Sequence, residues 1–194
     1  GHYGRARGYL ERALGVAEGL GDRWLASEAH LLLSRTHRAA GAYEGALRDG
    51  LAALGQKRAV GDPLGEAYAL NNLGLIDHDP HSGGEALAYY LEGLAIAERL
   101  GNRRCQMVLL GNLGELYADL GDAEKALVYT ERSLALSEAI GSQQTLAISL
   151  EGLGTLYALL GDPDAALAHY ERALALRERL GDKQGQASSL HALG

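Results

Sequence analysis

The apolar residues of this chain recur at steps of three and four, which places them on one face of a helix. The clearest stripe falls in residues 108–120, and stripes in 70–76 and 150–160 repeat its spacing. A second kind of stripe occupies 126–136 and returns in 166–176. The pattern predicts pairs of amphipathic helices, each pair joined by a short turn. The stripes are Val108, Leu109, Leu113, Leu116 and Leu120; Leu70, Leu73 and Ile76; Leu150, Leu153, Leu156 and Leu160; Ala126, Leu127, Tyr129, Leu134 and Leu136; and Ala166, Leu167, Tyr170, Leu174 and Leu176.

A period of 40 residues organises these helices, and 13 of the 27 glycines follow it. Self-similarity at a fixed period of this size is typical of a solenoid, in which each unit buries its apolar face by stacking on its neighbours. Four registers share the period: Gly21, Gly61, Gly101, Gly141 and Gly181; Gly1, Gly41, Gly121 and Gly161, with His81 replacing the glycine once; Ala6, Ala46, Ala86, Ala126 and Ala166; and Gly74, Gly114, Gly154 and Gly194, with Ser34 in the first full unit.

The helix ends carry recognisable signals. Asp62 and Asp162, each followed by proline, predict an N-cap with proline at the first helical position. Ser82, with Glu85 three residues later, fits a capping box. The glycine before each cap is expected to take the left-handed conformation that ends the preceding helix. Three glycines inside first helices, each costing about 1 kcal/mol relative to alanine, predict a close approach of the neighbouring helix. They are Gly74, Gly114 and Gly154, expected to face Ala86, Ala126 and Ala166.

These motifs resemble the tetratricopeptide repeat. The signature of its first helix, a large residue followed by Leu-Gly and a tyrosine, occurs twice, and so does the alanine-to-aromatic spacing of its second helix. The unit is longer than the usual repeat of about 34 residues, and the proline that ends the second helix in the family is missing. The chain therefore resembles the long-repeat branch found in kinesin light chains, cell-polarity adaptors and bacterial regulators. The matching residues are Leu110, Leu113, Gly114 and Tyr117; Leu150, Leu153, Gly154 and Tyr157; Ala86 and Tyr90; and Ala166 and Tyr170.

The resemblance implies an all-α fold, a right-handed superhelical solenoid of antiparallel helix hairpins. We predict a single array over residues 1–194 with nine helical segments, in which 1–20 is the second helix of a preceding repeat and 181–194 is a partial first helix. Neither end carries the polar capping helix that a free-standing array needs, so we expect a fragment of a longer protein. The full repeats, numbered one to four below, are 21–60, 61–100, 101–140 and 141–180.

Composition narrows the class of function. The hydrophobic content of 47% suits a packed core, and no apolar run reaches the roughly 18 residues of a membrane helix. Acidic side chains outnumber basic ones, 25 to 18, which argues against a nucleic-acid backbone as a direct partner. The only cysteine, Cys105, has no partner for an internal disulfide, so a cytoplasmic location is expected.

In this family the first helices line the concave face, and ligands lie along it. Carried over by register, the resemblance implies a surface to which each first helix contributes residues three and four apart. Asn71, Asn72 and Asn112 are expected to clamp the backbone of an extended peptide, because an asparagine both donates and accepts hydrogen bonds. The alternative is that Asn72 and Asn112 bond to a neighbouring helix or loop. The candidate ligand-binding residues are Arg35, Arg38, Tyr68, Asn71, Asn72, His78, Asn112, Glu115 and Glu151.

Charge is distributed unevenly along the repeats. Repeat one has six basic and four acidic side chains, whereas repeat two has one basic and seven acidic. Arg35 and Arg38 therefore offer guanidinium groups to a carboxylate or phosphate at one end of the surface. The alternative is a solvated face that keeps the protein soluble.

Other chemistry receives little support. Asp77, His78, Asp79 and His81 form the only cluster of metal-ligand residue types, but nothing fixes four ligands there, and a variant turn is favoured over a metal site. Cys105 is expected to pack rather than act as a nucleophile, and no pair of carboxylates is placed for acid–base work. We therefore expect no enzyme, no bound metal and no cofactor.

We expect a scaffold or regulatory module that binds a protein or peptide. One alternative, from a different class, is a domain of a bacterial regulator that senses a small-molecule effector. A second alternative is a structural spacer, or a surface for self-association through the uncapped ends of the array. Direct contact with nucleic acid or with a membrane is not expected.

Overall fold

The computed structural model describes residues 2–78 and 84–193, and every regular element in those ranges is an α-helix. The described ranges contain ten helices, so the predicted count of nine is wrong; the predicted division, one preceding helix, four two-helix repeats and a partial first helix, itself amounts to ten. The all-α fold of helical hairpins is confirmed. The helices are α1 (His2–Gly19), α2 (Arg23–Ala39), α3 (Tyr43–Val60), α4 (Pro63–Ile76), α5 (Gly84–Arg99), α6 (Arg103–Asp119), α7 (Ala123–Ile140), α8 (Gln143–Leu159), α9 (Pro163–Leu180) and α10 (Lys183–Leu193).

The chain forms two compact units, Gly1–Gly101 and Asn102–Gly194, called here the N-terminal and C-terminal units. In the N-terminal unit α2 packs on α3 and α4 packs on α5, while α3 also contacts α4. In the C-terminal unit α6 packs on α7 and α8 packs on α9, while α7 contacts α8. Small and branched apolar side chains form both cores, which lets the helices pack closely. Fully buried examples are Ala46, Ala53, Leu70, Leu73 and Ala86 in the first unit, and Leu109, Leu113, Leu116, Ala126 and Ala173 in the second.

The turns follow the chemistry predicted for them. Gly61 ends α3 with a φ of 68°, a left-handed conformation that glycine adopts without strain. The next residue, Asp62, accepts a hydrogen bond of 2.8 Å from the amide of Gly65, and proline begins the helix. Asp162 caps α9 in the same way. The predicted proline-bearing helix starts are therefore confirmed, whereas Ser82 of the expected capping box lies outside the described residues.

The glycines inside the first helices mark close helix packing, as predicted. A methyl group at Gly74 would overlap the ring of Tyr90, and one at Gly154 would lie 2.6 Å from Cε1 of Tyr170. The nearest atoms thus belong to an aromatic ring one turn beyond the alanine that was expected to face each glycine. A flat ring fills this space because the glycine leaves it open.

Two positions at the junction of successive repeats vary together in size. The long side chain of Lys57, near the end of α3, covers Gly65 in α4, where an added methyl group would lie 2.5 Å from Cδ of Lys57. Arg177 and Gly185 repeat the arrangement in the C-terminal unit, with a corresponding distance of 2.6 Å. Where the first residue is small, the residue eight positions later is larger. The other such pairs within a unit are Ala17 with Leu25 and Ser137 with Thr145.

The contact between the two helices of a hairpin also varies. In repeat four Tyr157 stacks on His169, with ring centroids 5.3 Å apart and an angle of 4° between the planes. In repeat one the same two positions hold His37 and Asp49, and Nδ1 of the histidine lies 3.0 Å from the carboxylate. Nδ1 of His30 lies 3.1 Å from the other carboxylate oxygen. The carboxylate of Asp49, shared by two histidines, therefore replaces the ring stack. Because a carboxylate accepts hydrogen bonds, each of the two histidines donates from its own Nδ1.

Candidate functional site

A groove of about 580 Å³ lies between α2 and α4, the first helices of repeats one and two, with the end of α3 at its floor. We call it the N-terminal groove. Its α2 wall follows the predicted steps of three and four, as expected for one face of a helix. The lining residues are Glu28, Leu31, Arg35 and Arg38 on α2; Lys57 on α3; Asp62 at the N-cap; and Leu64, Gly65, Tyr68, Asn71, Asn72 and Leu75 on α4.

Arg38 lines this groove and also carries an unsatisfied donor. Its Nε atom is buried and has no hydrogen-bond partner among the described residues. Arg35, one turn earlier on the same wall, is exposed and forms no ion pair with the described residues. A buried donor without an acceptor costs about 1–3 kcal/mol. The α2 wall therefore offers two guanidinium groups, neither of which forms an ion pair with the described residues.

The cation at the floor of the groove is fully paired. Lys57 is 1% exposed, and its Nζ binds the carboxylates of Glu28 and Asp62, the second at 2.8 Å. Burial lowers the pKa of Lys57, but its hydrogen bonds to the two carboxylates raise it above the usual value. Burial raises the pKa of Asp62, but hydrogen bonds from Lys57 and from the Gly65 amide hold it below the usual value. The positive charge left for a ligand is that of the two arginines.

The other candidates of repeat two divide between groove and packing. Tyr68, which is 41% exposed, and Asn71 both line the groove. Asn72 is 4% exposed and donates a hydrogen bond of 2.7 Å from Nδ2 to Oγ of Ser34, which is the structural alternative considered for it. His78 is not among the residues that line the groove.

A second groove, of about 510 Å³, lies between α6 and α8, the first helices of repeats three and four, and we call it the C-terminal groove. Its walls expose aliphatic side chains, with Val108 40% and Ile148 63% exposed. The charged residues among the described lining residues are Glu115, Asp119 and Glu151, all of them acidic. The rest of the lining is Met107, Gly111, Asn112, Gly114 and Ala118; Thr130 and Ser133 of α7; and Thr145, Ser149, Gly152, Thr155 and Leu156.

The two predicted acids of this groove differ in their surroundings. Glu151 binds the buried guanidinium of Arg177 and accepts a hydrogen bond of 2.6 Å from Oγ of Ser188. Glu115 is exposed and makes no ion pair or hydrogen bond with the described residues. Asn112 lies beside it in the lining. Glu115 therefore carries a negative charge that the groove does not compensate.

The two grooves are built from equivalent positions, two repeats apart. Each has one wall from the first helix of one repeat and one wall from the first helix of the next. At these positions the two grooves carry side chains that differ in size or in charge. The equivalent pairs are Glu28 and Val108, Leu31 and Gly111, Arg35 and Glu115, Arg38 and Ala118, Tyr68 and Ile148, Asn71 and Glu151, Asn72 and Gly152, and Leu75 and Thr155.

The cluster of acids and histidines in repeat two is only partly described. Asp79 and His81 lie outside the described residues, within which no group of three or more His, Cys, Asp or Glu side chains is placed to hold a metal ion. Cys105 is buried, and burial raises the pKa of its thiol, which disfavours a reactive thiolate. Within the described ranges no helix has the length and apolar character needed to cross a membrane.

Two buried cations that bind carboxylates of first helices, Lys57 and Arg177, were not predicted from the sequence. A signal for them was present in the repeat period, because each long cation is followed eight positions later by a glycine, whereas smaller residues are followed by larger ones. The first position reads Ala17, Lys57, Ala97, Ser137 and Arg177, and the second reads Leu25, Gly65, Cys105, Thr145 and Gly185.

Several solved structures resemble the chain. BtubC (BKLC) from P. vanneervenii is 26% identical, with a TM-score of 0.84 over 94% of this chain and 76% of that one. A Signal Transduction ATPase with Numerous Domains (STAND) protein with a tetratricopeptide repeat sensor, from Pyrococcus horikoshii, is 20% identical, with a TM-score of 0.81 over 92% of this chain and 28% of that one. The thermophilic TPR protein TTC0263 from Thermus thermophilus is 25% identical, with a TM-score of 0.61 over 97% and 99% of the two chains. No protein of curated function matches the sequence.

The family resemblance predicted from the repeat motifs is confirmed by a family model. The tetratricopeptide repeat model matches residues 64–139 and 145–194, which is well over half of the chain. The hairpins of the described residues and the similar solved structures agree with this match. The chain belongs to the tetratricopeptide repeat family.

Proposed function

We propose that this chain is a peptide-binding module, and that its N-terminal groove binds an acidic residue of an extended partner segment. Tetratricopeptide repeats are in general scaffolds for protein interaction, and this supports a protein or peptide as the partner. The observation that carries the acidic preference is the pair of groove-lining guanidinium groups, Arg35 and Arg38, neither of which forms an ion pair with the described residues. An incoming carboxylate supplies the missing counter-charge.

The electrostatics of the groove favour the same ligand. Lys57 is already neutralised by two carboxylates, so Arg35 and Arg38 dominate the field that a ligand meets. A guanidinium fork binds a carboxylate with two parallel hydrogen bonds, which adds orientation to the charge. Tyr68 and Asn71 lie on the opposite wall, where the amide side chain suits the backbone of an extended peptide.

Labelled peptides test the proposal directly. The probe is an acetylated peptide with Asp-Glu at its centre, and its matched control carries Asn-Gln instead. We expect the acidic peptide to bind at least about tenfold more tightly in fluorescence anisotropy, and Arg38→Ala and Arg35→Ala each to remove about a tenfold factor. Arg23→Ala is the control variant, because Arg23 lies exposed on the same helix and does not line the groove.

The outcomes of this experiment separate recognition from general charge. An equal loss in the Arg23→Ala control would mean that only net charge attracts the peptide. Equal binding of the acidic and amide peptides would overturn the proposal for this groove. If the asparagine clamp contributes at this groove, Asn71→Ala weakens acidic and amide peptides alike, since it removes hydrogen bonds to the peptide backbone. Unchanged affinity in this variant would remove Asn71 from the proposal.

A small-molecule sensor is the second candidate, favoured by the size of the grooves. Volumes of about 580 and 510 Å³ fall within the range of about 300–1,000 Å³ typical of small-ligand pockets. The STAND protein similar to this chain carries a tetratricopeptide repeat sensor. Saturable thermal stabilisation by a fractionated metabolite pool, without binding of either peptide, would favour this candidate over the first.

A further inference from the structure

The C-terminal groove holds two helical glycines that helix packing does not require. A methyl group added at Gly111 would lie 3.5 Å from Oγ of Ser133, and one at Gly152 would lie 3.6 Å from Cγ2 of Thr130, both ordinary contacts. Gly114 is different, because a methyl group there would overlap the hydroxyl of Thr130. Glycine inside a helix is destabilising relative to alanine. Gly111 and Gly152 therefore keep the groove deep at a cost that packing does not explain.

The walls of this groove expose aliphatic surface on both sides. Val108 on α6 and Ile148 on α8 are 40% and 63% exposed, although each belongs to a helix with a well-filled apolar face. The equivalent positions of the N-terminal groove hold Glu28 and Tyr68. An apolar stem lying between the two aliphatic side chains would remove both from water.

The charges of the groove indicate which charged group a bound ligand would carry. Glu151 is neutralised by Arg177, whereas Glu115 makes no ion pair with the described residues. No basic residue occurs among the described residues that line the groove. A cationic group at the end of an apolar stem therefore complements both the aliphatic walls and the carboxylate of Glu115. The side chains of arginine and lysine have this combination.

We propose that the C-terminal groove binds a basic side chain of a partner peptide. The alkyl stem lies along Val108 and Ile148 above the two glycines, and the cationic head pairs with Glu115. The inference rests on the proposed function, in which the chain binds peptides, and it adds a ligand preference opposite to that of the N-terminal groove.

Peptides that differ in one side chain test the preference. The probe is an acetylated and amidated Gly-Ser-Leu-Arg-Leu-Ser-Gly peptide, compared with the same peptide carrying citrulline or glutamate at the centre. Citrulline keeps the shape of arginine and removes its charge. Methyl signals of Val108 and Ile148 in NMR titrations report the site. We expect the arginine peptide to bind about tenfold more tightly than the citrulline peptide, and the glutamate peptide to bind weakest.

Register-matched variants test the site itself. Gly111→Leu and Gly152→Asn introduce the residues that repeats one and two carry at these positions, Leu31 and Asn72. Each variant fills the groove, so we expect the affinity for the arginine peptide to fall at least about tenfold. Each also removes a helical glycine, so we expect the urea midpoint of unfolding to stay equal or rise. Loss of binding together with undiminished stability is a result that simple misfolding cannot give.

Glu115→Arg, which introduces the equivalent residue of repeat one, is expected to invert the preference so that the glutamate peptide binds more tightly than the arginine peptide. Equal affinity for the arginine and glutamate peptides in the unaltered chain would overturn the inference, and so would full binding by the filled variants. No binding of the arginine peptide at millimolar concentration would also overturn it. The acidic peptide of the N-terminal groove, measured in parallel, shows whether the proposed function survives such a failure.

Discussion

The N-terminal and C-terminal grooves use equivalent helix positions, yet their side chains have opposite character. The first groove offers the guanidinium groups of Arg35 and Arg38 above a paired lysine, whereas the second offers Glu115 between exposed aliphatic walls. The backbone frame is nearly the same in both, because turn glycines and buried alanines recur with the period. The frame sets where a ligand can lie, and the exposed positions set which ligand it is.

The difference is largest at the exposed positions of the grooves, which contribute little to packing. Arg35 and Glu115 are exposed, so exchanging one for the other costs the core little. The floor is more constrained. Lys57 is buried and paired, and its equivalent Ser137 is buried and donates a hydrogen bond of 2.8 Å to the carbonyl of Ser133. The charge of the floor therefore depends on a packing arrangement that cannot be altered one residue at a time.

The largest expected effect comes from removing the buried cation of the N-terminal groove. Lys57→Ala leaves Glu28 and Asp62 without their partner and opens a cavity beside Gly65. We expect a loss of about 2–3 kcal/mol in the free energy of urea unfolding, below the range for fully buried pairs because both carboxylates still reach water. Lys57→Ala combined with Gly65→Leu, which recreates the pair formed by Ala17 and Leu25, should recover about half of the loss.

The control for this prediction is Gly65→Leu alone, which should destabilise the protein because the new side chain meets both Lys57 and the carboxylate of Asp62. Additive losses in the double variant would contradict the exchange of volume between the two positions.

The two kinds of glycine give the next largest effect. Gly74→Ala places a methyl group in the ring of Tyr90, so we expect a destabilisation of about 1–3 kcal/mol. Gly111→Ala meets only ordinary contacts, so we expect a gain of about 0.5–1 kcal/mol from helix propensity. Urea unfolding of both variants measures the contrast. A destabilised Gly111→Ala would show that this glycine is required for packing, and it would remove one support of the basic-side-chain proposal.

The pH dependence of stability should differ between the two grooves, because the floor of the N-terminal groove holds the charged pair of Lys57 and Asp62, whereas the equivalent positions hold Ser137 and Ser142. Because the pKa of Asp62 is held below its usual value, its contribution is complete above the unfolded pKa of about 3.9 and is lost as pH falls through the folded pKa. Asp62→Asn should cost about 1 kcal/mol at neutral pH, and the difference from the unaltered chain should disappear in acid. Ser142→Ala, at the equivalent position, is the control. Its difference in stability from the unaltered chain should not change as the pH is lowered. A difference that persists at low pH would mean that the charge of Asp62 is not what stabilises the site.

The smallest effect is expected in the hairpin of repeat four. Burial lowers the pKa of His169, and the nearby positive charge of Arg172 lowers it further. The neutral ring is therefore favoured in the folded state, so its contribution to stability is complete above the unfolded pKa of about 6.5 and is lost as pH falls through the folded pKa. His169→Tyr introduces the residue that stacks on Tyr117 in repeat three and should abolish this dependence. NMR titration of the ring protons checks the direction, which an unshifted or raised pKa would contradict.

The repeat period predicted the frame well, because its residues are fixed by backbone geometry. Gly61 and Asp62 occupy a turn that demands a left-handed residue followed by a cap, and both were identified from spacing alone. The candidate ligand-binding residues predicted on the first helices do line the grooves, except for His78. The pairing of Glu151 with Arg177 was not foreseen, since the two residues are 26 positions apart and belong to different helices. Spacing on one helix shows which residues share a face, but it does not show which side chain from another helix reaches them.

The shared volumes at the repeat junctions have a consequence for how the chain assembles. Repeats of equal length invite a hairpin to dock on the wrong neighbour, one period too early or too late. Lys57 fits over Gly65 but would collide with Leu25, and Ala17 would leave a void beside Gly65. A shift by one period is therefore penalised at these two junctions, so the side chains that share them favour the correct order of the repeats during folding.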